Sequence, residues 1–109
     1  MPTTYKVLAQ SNPSATTATT LYTVPASTST VISTVTVCNQ AASAGSFRIA
    51  VRPAAETLAA KHYVAYDVAI AANDTTAITL GLTLATTDVV TVYASSATMS
   101  FNAYGSEIS

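Results

Sequence analysis

His62 is the one histidine in the chain, and its type is the side chain best suited to act as a base near neutral pH. It stands beside Tyr63 and close in sequence to Asp67, a carboxylate able to orient its ring. A histidine base also needs a nucleophile presented by a structured frame. Hydroxyls abound, yet no Gly-x-Ser-x-Gly elbow or comparable frame presents one. His62 therefore reads as a surface or loop residue that hydrogen-bonds to a neighbouring subunit. The acids are Glu56, Asp67, Asp74, Asp88 and Glu107. A glycosidase pair or a calcium cage needs two or more of them to converge, and no Asp-x-Asp spacing suggests it. Asp74 and Asp88 stand beside turn residues, where a carboxylate accepts a backbone N–H. Cys38 is the single cysteine, which excludes an internal disulfide and a cysteine-based zinc cage. It falls in a strand pattern and reads as a buried, inert thiol. The sequence thus predicts no catalytic residue, no cofactor-binding residue, no metal site and no cofactor: the chain is not expected to be an enzyme.

The remaining polar and aromatic residues point to contact with other proteins. Arg48 and Arg52 lie on one strand face, placed to pair with acids of a partner or with Glu56 and Asp67 of the same chain; the first is the favoured reading. Tyr5, Tyr22, Tyr63, Tyr66, Tyr93 and Tyr104 suggest either a sugar-stacking platform or core and interface packing. With no tryptophan present, packing is the better reading. Asn73-Asp74-Thr75 matches a glycosylation acceptor, read as a chance match without a secretion signal. Four basic residues and a net charge of −1 cannot form a groove that tracks phosphates, so nucleic acid is not an expected partner.

The elements that would hold these residues are strands. Tyr5, Val7 and Leu8 suggest a short first strand, and Gln10 to Thr20 has turn and loop chemistry. Residues 1–20 are read as an N-terminal segment, either an arm over a neighbour or a loop crossing the end of a sandwich. Residues 21–109 are read as the sandwich domain. Leu21–Val24 ends at Pro25. Val31, Val35 and Val37 are predicted on one face, with Thr34, Thr36 and Cys38 opposite. Phe47, Ile49 and Val51 alternate with Ser46, Arg48, Ala50 and Arg52, and Pro53 stops the strand. Ala54–Lys61 has helical propensity but is long enough for only a single turn or a loop. Val64, Tyr66, Val68 and Ile70 alternate with Tyr63, Ala65, Asp67 and Ala69. Thr76, Ile78, Leu80, Leu82 and Leu84 follow, with Gly81 marking a bulge or a close backbone approach. Val89–Ala94 and the Met99-Phe101-Ala103 stretch complete the set. About seven or eight short strands without a real helix predict an all-β fold. Its form is a single antiparallel two-sheet β-sandwich, wired as a jelly roll or in immunoglobulin-like fashion.

At 109 residues the chain is one domain able to bury a core without staples. Half of its residues are hydrophobic, yet no apolar run approaches the roughly 20 needed to span a bilayer. No membrane partner is expected. The start lacks the layout of a secretory signal, so the protein is expected to stay in the cytoplasm where it is made or to leave by a route needing no signal. Charged residues are only 8%, against about 25% in an average soluble domain. Thr, Ser and Ala fill roughly half of the chain instead. Hydroxyls cost far less to desolvate than charges, so this exterior suits a surface covered by neighbours.

Several segments together carry a likeness. They are Leu21-Tyr22-Thr23-Val24-Pro25, Val37-Cys38-Asn39, Phe47 through Pro53, Lys61-His62-Tyr63, Asn73-Asp74-Thr75, Thr87-Asp88-Val89-Val90, Ser100-Phe101-Asn102 and Gly105-Ser106-Glu107. The chain resembles small all-β structural proteins encoded among the virion genes of tailed bacteriophages, over nearly its whole length after the first ten residues or so. The resemblance implies a virion component made in the host cytoplasm, with no catalytic residues to carry over. The expected role is a capsid decoration (cement) protein, a homo-oligomer such as a trimer that binds the major capsid protein. A tail, baseplate or fibre-attachment protein is the alternative within the virion, and a carbohydrate-binding or adhesive module is the alternative of another class.

Overall fold

The computed structural model describes residues 2–109. These residues form an all-β fold with nine strands: β1 (Thr3–Ser11), β2 (Thr19–Thr23), β3 (Ser29–Asn39), β4 (Gly45–Arg52), β5 (Tyr63–Ile70), β6 (Thr75–Ile78), β7 (Leu82–Leu84), β8 (Val89–Ala94) and β9 (Met99–Ile108). One sheet runs β1-β9-β3-β6, with β7 also paired to β3, and the other runs β2-β8-β4-β5; every pairing is antiparallel. Their inner faces meet at a core in which Phe47 of β4 and Phe101 of β9 touch edge to face, ring centres 6.2 Å apart. Ile32, Val35, Val37, Ile49, Val90, Val92 and Met99 fill the space around them. Period-two alternation produces this directly, because one side of each strand must leave water.

Three local features depart from simple alternation. Gly81, at φ +62°, interrupts the Thr76–Leu84 pattern. β6 and β7 therefore form as separate strands along β3, and the total is nine where seven or eight are expected. In β3 the pairing with β9 shifts between Ile32 and Thr34. This bulge puts Thr30 and Ile32 inside and leaves Val31 half-exposed, against the predicted inward Val31. In β5 the register against β4 shifts twice, and Asp67 sits at φ +49°. Tyr63, Ala65, Val68 and Ile70 turn toward the protein while Val64 and Tyr66 face solvent, so the predicted Val64-Tyr66-Val68-Ile70 face does not form. An inserted residue reverses side-chain parity, and parity is all that alternation reads.

The first strand is longer than the sequence suggests. Thr3–Ser11 pairs along β9 as the edge of its sheet, and the loop that follows carries the chain across to β2 in the other sheet. Asn12 clamps this crossing by donating to the carbonyls of Ala97 and Met99. The 54–61 stretch forms no α-helix; it holds two short 3-10 turns, Pro53–Ala55 and Ala60–His62.

Candidate functional site

Two surfaces stand out: the outer face of β4, β5 and β8, and the open edge at β1. On the first, Arg48 points outward from β4. Its Nε and Nη2 donate to the two carboxylate oxygens of Asp67 at 2.6 and 3.3 Å. The guanidinium lies between the Tyr66 and Tyr93 rings, 4.1 and 4.3 Å from their centres. The bulge at Asp67 swings that carboxylate and Tyr66 to the same side as Arg48. Two charge-assisted hydrogen bonds and two ring faces keep the guanidinium protonated well past its ordinary range, the Asp67 bonds being the main cause. Arg52, two residues on, donates to Thr91 Oγ1 at 3.1 Å and to the Glu56 carbonyl at 2.9 Å. The Arg52 side chain lies against Thr91, which is buried although it faces outward. Both arginines are thus engaged within the chain, not held out for a partner's acids.

Beside this cluster lies an open hollow of about 610 Å³ lined by Leu58, Ala59, Ala60, Tyr63 and Tyr66. Tyr63 and Tyr66 meet edge to face at 85°. Tyr66 and Tyr93 both stand against the Arg48 guanidinium, and the Tyr63 and Tyr66 rings are not coplanar.

His62 forms the back of the same loop. Of the two placements expected, surface or loop, it takes the loop, and it is buried there because the Ala60–His62 turn folds its ring inward. The Ala59 N–H donates to Nδ1 at 3.0 Å, which assigns the Nε2–H tautomer and makes Nε2 the donor to Glu56 Oε1 at 3.1 Å. Glu56 also meets Lys61 at 3.6 Å, and its carboxyl is held below the usual range first by His62 and then by Lys61. Both ring nitrogens therefore serve the loop, and Asp67 belongs to Arg48.

The other acids are equally occupied. Asp88 accepts the N–H groups of Ala54 and Ala85, each at 2.9 Å, and Asp74 accepts the Thr75 N–H at 2.8 Å. Glu107 accepts from the buried Tyr22 hydroxyl and pairs with Lys6 at 2.8 Å. Lys6, then Tyr22, holds the Glu107 carboxyl below its usual range. Burial, then Glu107, pushes the Tyr22 hydroxyl up to about 12. Every one of the nine charged side chains thus has a partner in its own chain. Among the described residues, no three or more His, Cys, Asp or Glu side chains gather as metal ligands would. Cys38 lies on the outward side of β3 between β6 and β9, half-buried, where a fully buried thiol was expected.

Asn39 is a structural polar site that the sequence reading passes over. It is 1% exposed at the inner end of β3. Its side chain donates to the Ser43 and Ala71 carbonyls and accepts from the Ala41 N–H and the Thr98 hydroxyl. It ties three loops together at one end of the sandwich. Parity with Val35 and Val37 was the available signal, since it places position 39 inward.

At the β1 edge, Tyr5 is 83% exposed and Val7 49%. No helix among the described residues is long and apolar enough to cross a membrane. Compared with known proteins, the sequence matches no family model and no curated protein.

Proposed function

We propose that this chain is a structural protein of a tailed-bacteriophage virion, a decoration protein that binds the head shell as a homo-oligomer in contact with the major capsid protein. The observation that carries the reading is the engagement of all nine charged side chains within the chain. Around these few charged groups the exterior is mostly Thr, Ser and Ala, with Tyr5, Val7, Val64, Tyr66 and Leu80 exposed among them. Such a surface loses little hydration when covered, and each charged group on it already has a hydrogen-bond or ion-pair partner in its own chain. Many small contacts of this kind, repeated over a symmetric shell, add through multivalency. The same reading makes the chain a non-enzyme that needs no cofactor, bound in the virion after synthesis in the host cytoplasm. The likeness of its strand and turn segments to small virion proteins supports the same class.

The test is the protein composition of purified particles. A copy number comparable to the major capsid protein is the expected result. A handful of copies per particle would assign the chain to the tail or baseplate, and absence from particles would end the virion reading. Binding of the purified oligomer to a glycan array would favour an adhesive module instead.

A further inference from the structure

Among the described residues, β1 forms one edge of its sheet, with β9 on one side and no strand on the other. Its hydrogen-bonding parity can be read from the chain end. The Ser109 N–H donates to the Pro2 carbonyl at 3.1 Å, which makes Pro2 and Ser109 a bonded site. Bonded and non-bonded pairs alternate in an antiparallel ladder. Thr4 with Glu107 and Lys6 with Gly105 are therefore the next bonded pairs, and Thr3, Tyr5 and Val7 lie at the non-bonded ones. The backbone N–H and C=O groups of Thr3, Tyr5 and Val7 thus point away from β9, along the open edge.

This edge lacks the usual protections. From Thr3 to Val7 there is no proline, and the one charge, Lys6, pairs with Glu107 on the face toward Tyr22. The register shift comes only after Val7, so the exposed run is regular. Tyr5 and Val7 are also the two exposed large apolar side chains on this strand.

We infer that β1 pairs with β1 of a second copy of this chain, antiparallel, about a two-fold axis through Tyr5. Tyr5 then faces Tyr5 of the second copy, and Thr3 faces Val7 on either side. These are three bonded pairs of two hydrogen bonds each, about six in all, whereas a slip of two residues leaves only two such pairs. A two-fold axis requires a patch that complements itself, and this run does. Lys6 falls opposite Thr4, so like charges do not oppose each other, and Lys6 keeps its own Glu107. Both exposed apolar side chains leave water together. The result is one continuous sheet, β6-β3-β9-β1 joined to its symmetry mate. This deepens the assembly reading above by naming the self-contact. It is tested on the pure chain in solution, so its failure would leave the particle-composition test untouched.

The experiment combines light scattering with amide hydrogen exchange over a dilution series. A concentration-dependent dimer is expected, and in it the Tyr5 and Val7 amides should slow by tenfold or more relative to the dilute protein. The Thr4 and Lys6 amides, already bonded to β9, should be protected throughout. Tyr5→Pro removes a donor that β9 does not use and should abolish the dimer while the monomer still folds. Tyr5→Lys, which sets two positive charges against each other across the axis, should do the same without any backbone restriction. A wild-type chain that stays monomeric to millimolar concentration would overturn the inference. So would a dimer whose Tyr5 and Val7 amides exchange freely, or a folded Tyr5→Lys variant that still dimerises.

Discussion

Gly105→Ala should be the most damaging single-methyl change in this chain, and its cost can be worked from the backbone. Gly105 lies in β9, opposite Lys6 of β1 on one side and Ile32 of β3 on the other. The bulge after Ile32 drives the β3 backbone across this glycine. A Cβ built there would sit 1.9 Å from the Val31 carbonyl oxygen and 3.0 Å from Ile32 Cα. Carbon and oxygen normally keep about 3.3 Å, so β3 and β9 would have to part by about 1.4 Å at this point. That opening stretches the adjacent ladder bonds past useful length, at about 1 kcal/mol each, and adds overpacking strain of about 1–3 kcal/mol. A total near 3–5 kcal/mol is expected, a large share of the roughly 5–15 kcal/mol that holds a domain of this size. Urea unfolding followed by circular dichroism should show the midpoint falling with little change in slope. Gly81→Ala is the control. Its Cβ would meet nothing within 4 Å, and only the positive φ of 62° should cost about 1–2 kcal/mol. If Gly105→Ala cost less than about 1 kcal/mol, the β3–β9 register described above would be wrong.

Tyr22 should make the fold sensitive to alkali. The unfolded chain releases its phenolic proton near pH 10 and the folded chain near 12, so Tyr22's contribution is intact below pH 10 and fades as the pH rises through 12. The two-unit gap corresponds to roughly 2–3 kcal/mol, and a Tyr22→Phe variant should lose that part of the alkaline slope in unfolding titrations. Asn39→Ala leaves the 41–43 and 71 loops without their shared partner and should cost about 2–4 kcal/mol by thermal melting, since several buried backbone groups become unpaired. A change below 0.5 kcal/mol would show that water replaces the amide at no cost. Ala54 and Ala55 both hold positive φ, 51° and 56°, in the turn that closes on the Glu56 N–H. Ala55→Gly should therefore stabilise the protein by up to about 1 kcal/mol in the same assay, the strain relief exceeding the added chain entropy.

The alternation of Phe47, Ile49 and Val51 and of Met99, Phe101 and Ala103 was legible because the inserted residues opposite them sit in the neighbouring strands β1, β3 and β5, which leaves side-chain parity within these two runs unbroken. Val31 and the Val64–Ile70 stretch were misread because a bulge is not written in hydrophobic period. Ser33 and Asp67 mark those bulges, and neither residue type announces a shift of register. Gly81 did announce an interruption, since a positive φ favours glycine, but not that two strands would share β3. Asp74 and Asp88 were found as turn formers because an aspartate reaches backbone groups only a few residues away. The Arg48–Asp67 pair was one of two readings the sequence left open and not the favoured one, because 19 residues separate the partners; the Tyr22–Glu107 contact, 85 residues apart, left no local signal.

Composition and local pattern alone determined that this protein is a nearly uncharged β-sandwich whose inward faces are apolar. That much follows because burial of alternate side chains is decided within a few residues of sequence. Only the tertiary structure decided which sheet each strand joins, where parity breaks, that every charge finds a partner in its own chain, and that the Thr3–Val7 edge stays open. Those outcomes depend on contacts between strands far apart in the chain, and a linear pattern carries no record of which distant backbone a given strand will meet.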